Sequence, residues 1–221
     1  MLYIFIVLIA ILIITAIVTL VSGVGFLPVL GFTALAVVIV VAIDGLVAAS
    51  ARFLPKKCAN HEKKVFQVSA KEKKFYERLK IRKWKDKVPE IGHLTGFRKN
   101  KLEDPKSIGY LDRFLLEACY GEIGHFFSAV LGFATLAFFF ITPLWWAIAL
   151  PVSVINVFMN LPSLFILRYN SYKLEILRAS IIKKQAREQS QEQKRKKEQE
   201  KEQTEPLREV VATDGENKIS K

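Results

Sequence analysis

Charged side chains are absent or nearly absent from three long stretches of this 221-residue chain. Residues 2–22 carry none, residues 24–51 carry only Asp44, and residues 126–167 contain no ionisable side chain. A helix that spans a bilayer needs about 20 mostly apolar residues. The first stretch is long, lacks a basic segment before it and is soon followed by the second, so it is typical of a membrane helix rather than a signal peptide. These stretches exclude an ordinary soluble domain.

Cysteine and histidine are scarce as well. Cys58 and Cys119 have no paired spacing, which excludes a disulfide framework and a zinc site of the usual spacing. Glu122 and His125 form one Glu-x-x-His motif, as in di-iron proteins, but those proteins need a second such motif, and this chain has none. Neither a His-x-x-x-x-Asp motif nor a nucleophile elbow is present. We therefore expect no bound metal and no other resident cofactor.

The apolar stretches predict an all-α membrane protein with four transmembrane helices arranged as two hairpins. Thr142-Pro143 divides the last stretch, because proline interrupts a helix, and the neighbouring Trp145 and Trp146 are typical of a membrane interface. The expected spans are residues 2–21, 28–50, 124–142 and 144–167.

Basic residues predict how these helices are oriented. Residues 51–113 contain 19 lysines and arginines against 8 acidic residues, and residues 168–221 contain 14 against 10. Loops rich in lysine and arginine stay in the cytoplasm, so both blocks and both chain termini are expected there. The sequence thus predicts a multi-pass protein of the cell membrane.

The segments between the spans complete the predicted organisation. Ser69, followed three residues later by Glu72, indicates the start of a basic amphipathic helix that suits an anionic inner leaflet, so nucleic acid is not expected as a partner. The expected parts are two transmembrane helices in 1–50, a basic cytoplasmic segment with an interfacial helix in 51–113, two transmembrane helices in 114–167, a surface helix in 168–186 and a charged tail, disordered or a frayed helix, in 187–221.

Three ionisable side chains meet the third span at its cytoplasmic end. On a helix, Glu117, Glu122 and His125 share one arc of about 140°. A carboxylate that holds an imidazole orients it as a general base, although the same groups at an interface can simply be hydrated. For Asp44 the sequence leaves Glu117, Arg113, Arg168 and a protonated structural role open. Asn156 and Asn160 on the fourth span are interpreted as hydrogen-bonding groups inside the bundle.

Four stretches together resemble one known family. They are "IRKWKDKVPE" (81–90), "GFRKNKL" (96–102), "RFLLEACYGEIGH" (113–125) and "NLPSLFILRYNSYKL" (160–174). In this order and spacing they are similar to the glycosyl-4,4′-diaponeurosporenoate acyltransferases, which place an acyl group on a sugar of a carotenoid glycoside, as in staphyloxanthin formation. Tyr120 and Ser171 stand at positions where that family has arginine.

The resemblance implies a catalytic group and a substrate-binding group. We interpret His125 as the general base, oriented by Glu122 or Glu117, with Lys85, Arg98 and Lys99 holding the phosphates of an acidic acyl donor such as acyl-CoA. The residues implied for substrate binding are Trp84, Lys85, Arg98, Lys99, Asn160, Arg168, Tyr169 and Asn170.

Two functions follow from these features. The first is an integral membrane acyltransferase that moves a fatty acyl group onto a sugar hydroxyl of a membrane glycolipid or carotenoid glycoside at the cytoplasmic face. The second is a non-enzymatic scaffold or lipid-binding subunit whose basic loop binds anionic lipid. The oligomeric state, the acyl donor and the acceptor sugar do not follow from the sequence.

Overall fold

The computed structural model describes residues 2–88 and 104–216 of the chain. Within these residues the fold is all-helical, as the sequence predicts. Four helices are long and apolar enough to cross a membrane, and the chain is a membrane protein. The helices are α1 (Leu2–Ser22), α2 (Phe26–Arg52), α3 (Ala70–Arg78), α4 (Ile81–Trp84), α5 (Ile108–Leu131) and α6 (Trp145–Glu216).

Local sequence signals explain where the first hairpin turns. Gly23 adopts a φ of 70° directly after α1, and its N–H donates to the carbonyl of Thr19 at 3.0 Å. A left-handed glycine of this kind ends many helices, because a side chain at that position would be strained. Pro28 lies in the first turn of α2, where its missing N–H leaves no hydrogen bond broken. The predicted turn between the first two spans therefore lies in the expected place.

The third and fourth spans meet at the proline that the sequence indicates. A 3-10 turn, Gly132–Phe138, follows α5, and α6 begins at Trp145. The helix that contains the third span begins at residue 108, well before the start predicted for that span. Trp145 is fully buried among side chains of α1, α2 and α6, and its indole N–H donates to the Thr135 carbonyl at 2.8 Å. Only Trp146, which is 53% exposed, fits the predicted interfacial role.

The basic amphipathic segment after α2 does not leave all of its apolar side chains exposed. Some of them pack against α6. Tyr76 and Ile81 are buried with Ile166 and Tyr169 of α6. Phe75 and Leu79 remain exposed. Lys80, with a φ of 54°, separates α3 from α4. Tyr76, Ile81 and Phe75, whose ring meets that of Phe165 on α6 edge-on, thus pack within the chain.

Beyond the fourth span the sequence predicts a surface helix and then a tail that is disordered or a frayed helix, and the described residues there are helical. One compact unit ends at Glu175, and a second begins at Ile176. Helix α6 has no break at residue 168 or 187 and continues through Glu216. In the second unit, ion pairs one helical turn apart join Lys184 to Glu188 and Lys196 to Glu192. Such pairs, with glutamine, lysine and glutamate as good helix formers, explain why this segment is helical.

Candidate functional site

Helix α5 carries the three candidate catalytic side chains, but each has a different partner. Ser107 caps the helix by accepting a hydrogen bond from the Tyr110 N–H at 3.3 Å. The helix then runs without interruption past Glu117, Glu122 and His125. The predicted helical placement is therefore present, while the predicted pairing of His125 with Glu122 or Glu117 is not. The partners of each side chain explain this correction.

Glu117 of α5 is paired with Arg52 of α2. The Arg52 Nη1 atom lies 3.0 Å from Glu117 Oε2, without the angle of a hydrogen bond. Beside this pair is a cavity of about 640 Å³ at the end of α2, and Tyr120 also lines it. The Tyr120 hydroxyl donates to the Leu54 carbonyl at 2.9 Å. Glu117 thus belongs to a charged cavity rather than to the His125 environment.

Glu122 is held by an arginine from α6. Its carboxylate, with 4% of its surface exposed, accepts from Arg168 Nη1 at 2.9 Å and from the Ser171 hydroxyl at 3.3 Å. Arg168 also donates from Nη2 to Glu72 of α3 at 3.0 Å and from Nη1 to the Val65 carbonyl at 3.0 Å. This cluster, which we call the Arg168 clasp (Glu72, Glu122 and Arg168), joins α3, α5 and α6. Arg168, predicted to bind substrate, is therefore occupied by two carboxylates.

The Arg168 clasp also accounts for the charge state of Glu72. Ser69 caps α3 as predicted, accepting from the Glu72 N–H at 3.1 Å, but the Glu72 side chain turns to Arg168 and to the Tyr76 hydroxyl. Burial acts to raise the pKa of Glu72, yet the hydrogen bonds from Arg168 and Tyr76 outweigh it, and the pKa is lowered. Burial and the neighbouring carboxylate raise the pKa of Tyr76. Glu72 is thus an ionised member of the clasp. Its link to a residue 96 positions away leaves no signal in the sequence.

His125 belongs to a separate hydrogen-bonded network that reaches α2. Its Nδ1 atom lies 2.9 Å from Asn160 Oδ1. The Asn160 side-chain amide donates to Asp44 Oδ2 at 3.2 Å, and the Asn156 amide donates to Asp44 Oδ1 at 3.2 Å. Asn160 Nδ2 also donates to Asn156 Oδ1 at 3.0 Å. This His125 network (Asp44, His125, Asn156 and Asn160) resolves the question of Asp44, whose partners are the two asparagines.

Gly132 provides the space that Asn156 needs in this network. A Cβ atom at Gly132 would lie 2.5 Å from Asn156 Nδ2, whereas a Cβ at Gly124 within α5 would have Ala48 Cα as its nearest contact at 3.9 Å. The Asn156 amide also donates to the Ser128 carbonyl at 3.1 Å, so the side chain is held from both sides. Gly132 is thus a residue of the site that sequence reasoning missed.

We expect Gly132→Ala to lower the free energy of unfolding by about 1–3 kcal/mol, because overpacking forces Asn156 out of place. Gly124→Ala is the matched control and should be neutral or stabilising, since alanine favours a helix over glycine. The midpoint of thermal unfolding in detergent measures both. Equal midpoints for the two variants would contradict the close packing at Gly132.

An apolar groove lies beside the imidazole, between α5 and α6. It has a volume of about 310 Å³, and its lining is apolar apart from the half-buried His125. The remaining lining residues are Phe126, Ala129, Val130, Phe133, Val157, Leu161 and Leu164. A groove of this composition suits a hydrocarbon chain, and His125 is the one residue of its lining with an ionisable side chain.

The other residues predicted to bind substrate, as far as the structure describes them, do not line the groove. Trp84 packs in the cluster of Tyr76 and Ile81, and its indole N–H donates to the Leu79 carbonyl at 3.0 Å. Tyr169 is buried beneath the Lys173 ammonium, which lies 4.4 Å from the ring centre. Lys85 lies in the 3-10 turn after α4, and Asn170 is half-buried on α6. Arg98 and Lys99 of the predicted set lie outside the described residues.

Comparisons with known proteins assign this chain to a family. A family model described as glycosyl-4,4′-diaponeurosporenoate acyltransferase matches residues 60–180, more than half of the chain. The matched range contains α3 to α5 and the part of α6 with Asn160 and Arg168, whereas Asp44 lies before it. Neither the curated proteins nor the solved structures that were searched contain a match.

Proposed function

The chain belongs to the glycosyl-4,4′-diaponeurosporenoate acyltransferase family, and we propose that it transfers a fatty acyl group onto a sugar hydroxyl of a membrane glycolipid or carotenoid glycoside. The resemblance found in the sequence is thereby confirmed at the level of the family. The acyltransferase class follows from the family, while the acceptor, the donor and the side of the membrane are part of the proposal.

The observation that carries the proposal is the half-buried imidazole of His125 at an apolar groove. Burying a hydrocarbon chain in such a groove is favourable by about 25 cal/mol for each Å² removed from water. A long acyl or polyene chain lying between α5 and α6 would bring its polar end to His125, the one polar residue of the lining. The groove therefore selects lipid-like reactants, and the imidazole meets the part of them that reacts.

The chemistry proposed for this site is general-base catalysis of acyl transfer. The imidazole takes the proton from the acceptor hydroxyl while the hydroxyl oxygen attacks the carbonyl carbon of an acyl thioester. The tetrahedral intermediate then collapses, its carbon–sulfur bond breaks, and the imidazolium gives the proton to the departing thiolate. An ester and a free thiol are the products, so no oxidant or further reactant is needed.

Charge supports the cytoplasmic face as the place of reaction. The basic segment 51–113 contains the predicted phosphate-binding residues Lys85, Arg98 and Lys99, and an acidic donor such as acyl-CoA would be attracted to it. The same segment places both termini in the cytoplasm in our proposal. Arg168 is not assigned to the donor, since Glu72 and Glu122 already neutralise it.

We expect Val157→Trp to reduce transfer at least about tenfold with long-chain reactants, because the indole would occupy the groove where a chain must lie. Val154→Trp on the same helix is the matched control, since Val154 is exposed and does not line the groove. Ester and free thiol are measured together in membranes supplied with an acyl thioester and a lipid glycoside.

The control separates the groove from a general effect of a large side chain in α6. Val154→Trp should keep the wild-type rate, and shorter-chain reactants should restore part of the rate of Val157→Trp. Equal rates for the two variants would contradict binding in the groove. If wild-type membranes form no ester and release no thiol, the enzymatic function fails and the scaffold interpretation replaces it.

A further inference from the structure

Asp44 is the only charged residue between residues 2 and 51, and the family model does not cover it. It lies on α2, yet both of its carboxylate oxygens accept hydrogen bonds from α6. Oδ1 accepts from the amide of Asn156, and Oδ2 accepts from the amide of Asn160, each at 3.2 Å. Ionisable side chains within membrane helices are functional residues by default, so we ask what role Asp44 has.

The hydrogen-bond donors and acceptors around Asn160 show that Asp44 orients its side-chain amide. An ionised carboxylate only accepts hydrogen bonds, whereas an asparagine amide has a donor side and an acceptor side. Asn160 Nδ2 faces Asp44 Oδ2, Asn156 Oδ1 and the Asn156 carbonyl, which are three acceptors. The opposite side of the amide, Oδ1, must therefore face His125.

The orientation of the Asn160 amide in turn determines the proton of the imidazole. Because Asn160 Oδ1 is an acceptor, His125 Nδ1 must carry the proton that joins them across 2.9 Å. In a neutral imidazole only one ring nitrogen carries a proton, so Nε2 is left with a free lone pair. This tautomer is the one in which the nitrogen away from Asn160 can accept a proton.

We propose that Asp44 is a positioning residue, which acts through Asn160 to hold His125 as the Nδ1–H tautomer and leaves Nε2 as the proton acceptor. The inference rests on the proposed function for its effect on rate, but the tautomer itself is independent of any activity. Asn160 transmits the effect, and Asn156 holds the second oxygen of Asp44.

Replacing the carboxylate by an amide tests this chain of contacts. In Asp44→Asn a single acceptor oxygen faces two amide donors, so one of the asparagines of α6 must turn. We expect Asn160 to turn, because the amide of Asn156 is also held by the Ser128 carbonyl. The NH₂ group of Asn160 then faces Nδ1, the proton moves to Nε2, and the base is lost. We expect Asp44→Asn to slow acyl transfer by about 10²–10⁴-fold, the usual contribution of a general base.

The tautomer is measured directly by nitrogen NMR of the full chain in lipid vesicles, with ¹⁵N-labelled histidine and with His125→Gln to assign the signals. The sample is kept at a pH about two units above the ordinary histidine pKa, so that the ring is neutral. We expect a protonated Nδ1 in the wild type and a protonated Nε2 in Asp44→Asn. The double variant Asp44→Asn with Asn160→Asp should return the proton to Nδ1, because a carboxylate at residue 160 only accepts hydrogen bonds. Its rate of transfer should be at least about tenfold higher than that of Asp44→Asn alone.

Ser153→Ala is the control for a merely structural effect. The Ser153 hydroxyl is buried on α6 and donates to the Gly132 and Ala149 carbonyls, with no contact to His125. This variant should change neither the tautomer nor the rate.

The outcomes separate the inference from the proposed function. A protonated Nε2 in the wild type, or a tautomer unchanged in Asp44→Asn, overturns the positioning role of Asp44, whatever the activity. The wild-type spectrum alone suffices for this result if the variant does not accumulate. A tautomer that switches in Asp44→Asn without a loss of rate supports the positioning role and overturns His125 as the base.

Discussion

Replacing His125 by glutamine is expected to reduce acyl transfer at least about 100-fold, because glutamine has no group that takes a proton at neutral pH. Glutamine is also polar and of similar size, so it keeps a hydrogen bond to Asn160 within reach and the groove retains its shape. The measurement is ester formation in membranes that contain equal amounts of each variant, as judged by immunoblot.

His61 provides the matched control for this experiment. It lies outside the groove, and its Nδ1 atom is 3.0 Å from Glu175 Oε1. His61→Gln should retain the wild-type rate. A full yield of ester from His125→Gln would show that the imidazole is not the base.

Replacing Arg168 by methionine is expected to lower the free energy of unfolding by about 3–5 kcal/mol. The change leaves Glu122, which is 4% exposed, as a buried carboxylate without its cation. Glu72 loses the same partner, so the ion pair between α3 and α6 is lost as well. Thermal unfolding in detergent measures the destabilisation.

Two further variants decide whether burial of the charge is the cause. Arg52→Met removes the partner of Glu117 from a pair whose arginine is half exposed, and its effect should stay below about 1 kcal/mol. Adding Glu122→Gln to Arg168→Met should restore part of the stability, since the uncompensated charge is gone. If the Arg168→Met variant were as stable as the Arg52→Met variant, that result would contradict the Arg168 clasp.

The two family arginine positions that differ here are both used within the chain. Ser171 donates to Glu122, next to the guanidinium of Arg168. Tyr120 donates to Leu54 and lines the charged cavity beside Glu117. Neither position lines the groove at His125. The differences therefore bear on the Arg168 clasp and the charged cavity rather than on the proposed base.

Hydropathy and helix signals were sufficient to predict the fold because they are local. The uncharged stretches predict the helices, Thr142-Pro143 predicts the break between the third and fourth spans, and the structure places them there. For the tail the prediction left two outcomes open, because its polar composition indicates solvation while the same residues are also good helix formers. Composition alone does not decide between these two outcomes.

The candidate site was predictable in its helix but not in its partners. The spacing of Glu122 and His125 places them on neighbouring positions of α5, and that placement is correct. Which side chains meet them depends on how α2 and α6 pack against α5, more than 30 residues away in sequence. Arg168 competes for Glu122, and Asn160 competes for His125. The residue pattern of a single helix therefore predicts neither of these two contacts.

The most direct test of the account is a mass-spectrometric profile of the lipid glycosides in cells that contain either the wild-type chain or His125→Gln at equal abundance. The account predicts an acylated glycoside in cells with the wild-type chain and its unacylated precursor in cells with the variant. Identical profiles from the two cells would contradict acyl transfer at His125.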